Sequence, residues 1–231
     1  MTKNQQLLAK MGGSSLALLL SLSLGQQASA DTLVENLNEP NPNNLGFEVK
    51  NNQWVGSSFQ TGNASDGYTL NSVTLRFGQF TSGSLFVKLY TNVAGNPTTE
   101  ITSFNVPSIG VTNNYDFTLT NPQLLTANTT YWLVAGILVG SGEYFWAKTD
   151  STVETGLPGW SIGNQAIFSN DQGASNIWGV FPGSGPFQFS VNGTVNTSPP
   201  TNIPEPGSVV ALLGLGGLGL ASRLKKLSTR A

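Results

Sequence analysis

Four stretches of this 231-residue chain alternate apolar with polar side chains, and that period of two narrows the fold more than any other feature. Val73, Leu75 and Phe77 alternate with Thr74 and Arg76. Leu85, Val87 and Leu89 alternate with Phe86, Lys88 and Tyr90, and Tyr115, Phe117 and Leu119 with Asp116 and Thr118. Phe187, Phe189 and Val191 alternate with Gln188, Ser190 and Asn192. Side chains one residue apart on a strand face opposite sides of the sheet, so each stretch predicts a half-buried strand. Tyr131 to Val139 is instead a nearly unbroken apolar run, the pattern of a central strand covered on both faces.

Turn formers separate these segments: Gly62-Asn63, Asp66-Gly67, Ser82-Gly83, Gly95-Asn96-Pro97, Asn113-Asn114, Asn121-Pro122 and Gly140-Ser141-Gly142. Thr155 to Pro186, with seven glycines and three prolines, reads as long loops with short edge strands. No helical period competes in this region, and no repeat of solenoid length is visible. Residues 31–195 have the length of one domain, and the expected fold is all-β, an antiparallel sandwich of jelly-roll type.

Chemistry is constrained by what the chain lacks. It contains no cysteine and no histidine. Disulfides, thiol nucleophiles and thiolate metal sites are therefore absent, as are imidazole bases and histidine zinc ligands. Between Asp31 and Ile203 there are four basic residues (Lys50, Arg76, Lys88, Lys148) and eleven acidic ones, a net charge of −7. An acidic body without a Lys/Arg cluster argues against nucleic acid as a partner.

Both ends read as targeting segments. Residues 1–30 form a signal peptide, with Lys3 and Lys10 as its positive start and Leu16 to Leu24 as its apolar core. Ala28-Ser29-Ala30 gives the small-x-small cleavage pattern, which makes Asp31 the first mature residue. The Sec translocon and signal peptidase are the partners this segment implies. At the other end, Asn196 to Asn202 is a Pro/Thr/Asn linker of extended, unpacked composition. Then come Pro204-Glu205-Pro206, an apolar run from Gly207 to Ser222, and the basic residues Arg223, Lys225, Lys226 and Arg230. Sixteen residues span about 24 Å as a helix, against a hydrocarbon core of roughly 30 Å, and residues from Ile203 on bring the segment near spanning length. The basic end would stay on the cytoplasmic side, leaving the domain outside.

Pro-Glu-Pro, a Gly/Leu-rich helix and a terminal basic cluster, in that order over 203–231, resemble the PEP-CTERM sorting signal of bacteria with an outer membrane. The resemblance implies transient membrane attachment through the tail, cleavage near Pro204-Glu205-Pro206 by an exosortase-like enzyme, and a mature form at the cell surface or outside the cell. It also implies association with exopolysaccharide or biofilm. Within the body, Leu85 to Tyr90, Asn128-Thr129-Thr130-Tyr131-Trp132-Leu133-Val134 and Gly142-Glu143-Tyr144-Phe145-Trp146 resemble the choice-of-anchor R type of exported domain. That family implies a surface-displayed β domain and offers no catalytic residues to carry over.

Aromatic side chains are the candidate ligand groups, because the flat C–H face of a sugar packs on an aromatic face. Trp54, Trp146, Trp160 and Trp178, with Tyr68, Tyr90 and Tyr144, either include such a platform or fill the core. Trp160 and Trp178, in Gly-rich surroundings, are the first candidates, with Trp146 beside them. Glu143, Asp150 and Glu154 lie close in sequence, and Asp66 and Asp171 sit in turns, but no spacing enforces the carboxylate pair of a glycoside hydrolase. No Asp-x-Asp-x-Asp loop for calcium is present, and no cofactor or metal is expected. Four Asn-x-Ser/Thr sites, at Asn63, Asn128, Asn192 and Asn196, read as ordinary turn and strand residues. The leading expectation is a non-enzymatic exported surface or matrix protein. The alternatives are a carbohydrate-binding module and a glycan-acting hydrolase.

Overall fold

A computed structural model describes residues 30–41, 45–175, 177–181 and 183–197. Thirteen strands run in chain order through them: β1 (Asp31–Glu35), β2 (Gly46–Val49), β3 (Trp54–Gln60), β4 (Tyr68–Thr81), β5 (Leu85–Val93), β6 (Asn96–Ser103), β7 (Asn113–Leu125), β8 (Thr130–Ile137), β9 (Glu143–Ala147), β10 (Thr155–Gly156), β11 (Ser161–Ser169), β12 (Gly179–Val180) and β13 (Phe189–Val195). The chain divides into two units at Val195/Asn196. Apart from Asn196 and Thr197, the second unit lies outside the described residues. So do the signal segment up to Ser29, Pro204-Glu205-Pro206, the apolar run and the basic end. No helix among the described residues is long and apolar enough to cross a membrane.

All pairings are antiparallel, in two sheets. The first has the order β10-β1-β13-β4-β9-β2 with β7 also on β4, and the second β12-β11-β3-β8-β5-β6. Their inner faces share one apolar core. Leu70, Val73, Leu75, Phe77 and Phe189 meet Val55, Phe59, Val87, Leu89 and Leu133, all fully buried. The arrangement is a β-sandwich, with the first and last strands, β1 and β13, paired to each other.

The alternating stretches take the expected phase, with one refinement. In β4 both Leu70 and Val73 point inward although they are three residues apart. The register on β13 and on β7 steps across Asn71, so one extra residue bulges there and resets the alternation. The unbroken run of β8 is likewise explained by two covered faces. Tyr131, Leu133, Ala135 and Ile137 face the shared core. Trp132 and Val134 face outward into a second cluster with Phe86 and Ile167, flanked by Trp54, Tyr90 and Trp178.

Three expectations about turns and loops need correction. Asn113-Asn114 and Asn121-Pro122 are not turns but parts of β7. This strand has its ladder with β4 and an isolated bridge from Asn105 to Thr118; the register jumps from Ser72↔Thr118 to Leu70↔Gln123, letting Leu119–Pro122 bulge out, so Pro122 removes no ladder donor. The β5–β6 turn is Ala94-Gly95, with φ of 51° and 83°, the left-handed pair of a two-residue hairpin; Asn96 and Pro97 already belong to β6. Finally, Thr155 to Pro186 contains a nine-residue strand, β11, paired with β3. A shift between Ile162 and Ala166 breaks its alternation, and with it the sequence signal.

Core and edge positions should respond very differently to truncation. Leu133→Ala should lower stability by about 2–5 kcal/mol, whereas Leu124→Ala, largely exposed on β7, should stay within about 0.5 kcal/mol of the parent. Urea titration of both variants checks the contrast.

Candidate functional site

The tryptophans named as ligand candidates are mostly spent on the core. Trp146 is 0% exposed. It occupies the inward phase of β9, stacks on Phe187 with centroids 4.5 Å apart, and donates its Nε1–H to the Gln188 carbonyl at 3.1 Å. Trp160 is 6% exposed and closes one end of the sandwich between Phe59 and the edge of Tyr68. Neither offers a ring face to a ligand, which corrects the expectation for both. Trp178 is half-buried on the outer face of the second sheet, where Gly173 lies against both its ring and that of Trp54. Trp54 donates to the Ile137 carbonyl at 3.3 Å and Trp132 to Asn92 Oδ1 at 2.9 Å, so this face is a bonded, closed aromatic layer. Burial within it pushes the Tyr90 phenol up to about 12. Tyr68 and Tyr144 are buried, and their hydroxyls accept from Ala64 N–H and Gly83 N–H.

The outer face of the first sheet is different. In β9 the phase that buries Tyr144 and Trp146 sends Phe145 outward. In β4 the register shift between Gln79 and Thr81 releases Phe80 from the ladder, and it stands 64% exposed. The two rings meet at 6.0 Å and 65°, forming a ridge. On one side lies a cavity of about 350 Å³ lined by Arg76 and Thr112. On the other, a cavity of about 410 Å³ is lined by Glu48, Gln53, Phe47 and Phe181. Gly78, paired with Phe145, lets Thr112 pack closely on β4, because a Cβ there would collide with the Thr112 side chain. The sequence contained Phe145 only as the middle of a Tyr-Phe-Trp run and gave Phe80 no pattern at all. The outward position of β9 was readable from its alternation.

The carboxylates are engaged by the fold. Glu48 and Glu143 flank Lys50 at 2.5 and 3.4 Å, and the hydrogen bond from Lys50 holds the Glu48 carboxyl below its usual range. Asp150 pairs with Lys148, and Glu154 accepts the Ile162 N–H at 3.2 Å. Asp171 accepts from Ser169 Oγ at 2.6 Å and from the Ser175 N–H at 3.0 Å, and these bonds lower its carboxyl to about 2. Among the described residues no group of three His, Cys, Asp or Glu is placed to hold a metal ion.

Residues 202–226 match the PEP-CTERM protein-sorting motif. The tail carries a sorting signal. The match spans Pro204, Glu205, Pro206, Arg223, Lys225 and Lys226 and stops before Arg230. It identifies an exported protein, sorted at its C-terminus, held at the membrane by that tail and processed by an exosortase-like enzyme. The match does not extend into the sandwich, so the likeness of the body to a choice-of-anchor R type domain has no counterpart in it. No curated protein and no solved structure matches the chain.

Asp171 gives a pH test of the loop that carries Trp178. Its folded carboxyl sits below the free value near 3.9, so its stabilising bonds are present above about pH 4 and lost as pH falls through about 2. Asp171→Asn should therefore melt below the parent at pH 7, and the gap should close between pH 4 and 2. Thermal melts followed by tryptophan fluorescence check this; a gap as wide at pH 2 as at pH 7 would refute it.

Proposed function

We propose that this chain is a non-catalytic exported protein of the cell surface or extracellular matrix, associated with exopolysaccharide. The single observation carrying this reading is the sorting motif at residues 202–226, set behind a Pro/Thr/Asn linker. Residues 1–30 act as the signal peptide for the Sec translocon and signal peptidase, and residues 31–195 are the delivered cargo. The jelly-roll description of that cargo rests on the β1–β13 pairing and on successive strands crossing between the sheets. The absence of Cys and His from the sequence supports a role in binding or display rather than in acid–base or thiol chemistry.

Carbohydrate binding is the second reading, and one observation favours it. The Phe80/Phe145 ridge presents aromatic faces with polar side chains on both sides, the arrangement that stacks a sugar ring and reads its hydroxyls. This reading moves the aromatic platform from Trp160 and Trp146 to the two phenylalanines.

Intact-mass measurement of the protein from its native host tests the leading reading. The expected mature form begins at Asp31 and lacks Gly207 to Ala231. Replacing Pro204, Glu205 and Pro206 with alanine should retain the tail and hold the protein in the membrane fraction. A tail-bearing mass for the unaltered mature protein would sink the processing claim. Glycan-array binding that is lost on Phe80→Ala would support the second reading.

A further inference from the structure

The ridge has one charged neighbour that the fold does not use. Of the four cationic side chains between Asp31 and Ile203, Lys50 pairs with Glu48 and Glu143, Lys88 with Glu100, and Lys148 with Asp150. Arg76 has no such partner. Among the described residues its guanidinium makes neither an ion pair nor a hydrogen bond, and its Nε is buried and unsatisfied. Eleven carboxylates in the same segment leave it alone. Beside it, across the β4–β13 ladder, Gln188 also leaves its Oε1 buried without a partner; the Arg76 N–H donates to the Gln188 carbonyl at 3.2 Å, which fixes the two residues as neighbours.

We infer that the Arg76 cavity is a subsite for a carboxylate-bearing sugar residue, a uronate, with Phe80 and Phe145 as the surface on which the sugar chain stacks. The inference rests on the carbohydrate reading above and names its ligand class. A guanidinium is a planar fork whose parallel N–H groups match the two oxygens of a carboxylate. Here the fork lies in a cavity walled by aromatic rings, where a pyranose ring can lay its C–H face while its carboxylate reaches Arg76. The two sides of the ridge differ in charge. The far cavity carries Glu48, in the Glu48–Lys50–Glu143 cluster, and Gln53, which suit neutral hydroxyls and repel a second carboxylate. The site is thus matched to an acidic residue joined to a neutral one, rather than to a free anion or to a uniformly charged polymer.

The test uses the exported, processed protein and short oligosaccharides in which glucuronate, galacturonate or mannuronate alternates with a neutral sugar, each beside its carboxyl-reduced form. Calorimetric titration should find at least one acidic oligosaccharide bound, with affinity falling about tenfold or more on carboxyl reduction. Arg76→Gln should erase that difference, and Arg76→Lys should restore only part of it, since it keeps the charge without the fork. Phe80→Ala, at an exposed position that folding tolerates, should weaken the acidic and reduced forms alike. Equal binding of acidic and reduced forms would overturn the uronate assignment while leaving the carbohydrate reading intact. Binding of no oligosaccharide would overturn both, independently of the mass test of the tail. A peptide with a free C-terminal carboxylate that competes equally well would overturn the sugar and leave only an anion site.

Discussion

The first sheet is registered on one strand. β4 runs for fourteen residues, about 45 Å at ~3.3 Å per residue, and three strands pair with it directly. β7 lies along one side, while β13 takes Tyr68 to Leu75 and β9 takes Phe77 to Thr81. β1 and β10 follow from β13, and β2 from β9. Without a disulfide, the inward phase of β4 is held by these ladders together with apolar burial, and Leu70, Val73, Leu75 and Phe77 all reach zero exposure. The bulge at Asn71 makes this possible, because it corrects a phase that strict alternation would have turned outward halfway along.

The same device explains how much of the fold was legible. Strands with clean alternation, such as the middle of β4 and the start of β7, could be read directly, as could the doubly covered β8. Where a bulge interrupts the period, the signal fails. β11 was hidden by the shift between Ile162 and Ala166, and the length of β7 by the excursion at Asn121-Pro122. Proline and paired asparagines are turn formers on average, but an edge strand has one unpaired side and tolerates them. Local propensity cannot tell an edge strand from a turn when the deciding fact is the missing neighbour.

For the site, composition named tryptophans as the candidate rings, and the structure buries most of them. Tryptophans in Gly-rich stretches look displayed, yet Trp160 is a plug at the end of the sandwich and Trp146 a core ring. Their large apolar area makes burial the stronger outcome unless the surrounding strands turn them outward. The exposed rings are instead phenylalanines, one placed by the phase of β9 and the other by a bulge in β4. The two outer faces thereby take different roles. On the second sheet, Trp54, Trp132, Trp178 and Phe86 close the face over themselves. On the first, the ridge and its flanking cavities stay open.

Unsatisfied groups sharpen that asymmetry. The described residues leave five buried side-chain polar atoms unpaired, on Ser57, Arg76, Trp160, Trp178 and Gln188. An unmade hydrogen bond costs about 1–3 kcal/mol. For Trp160 the fold recovers this, since burying about 200 Å² of ring at ~25 cal/mol per Å² contributes roughly 5 kcal/mol, and the half-buried Trp178 recovers part of it. Ser57 is a small group inside a fully paired strand of the second sheet. Arg76 has no such recovery: it is charged, it sits on an outer face, and it shares no carboxylate in a domain rich in them. Gln188, its neighbour on the ladder, repeats the deficit with an acceptor. An unpaired donor on Arg76 and an unpaired acceptor on Gln188 thus stand on neighbouring residues of the face that carries the ridge, and this distinguishes it from the closed aromatic layer of the second sheet.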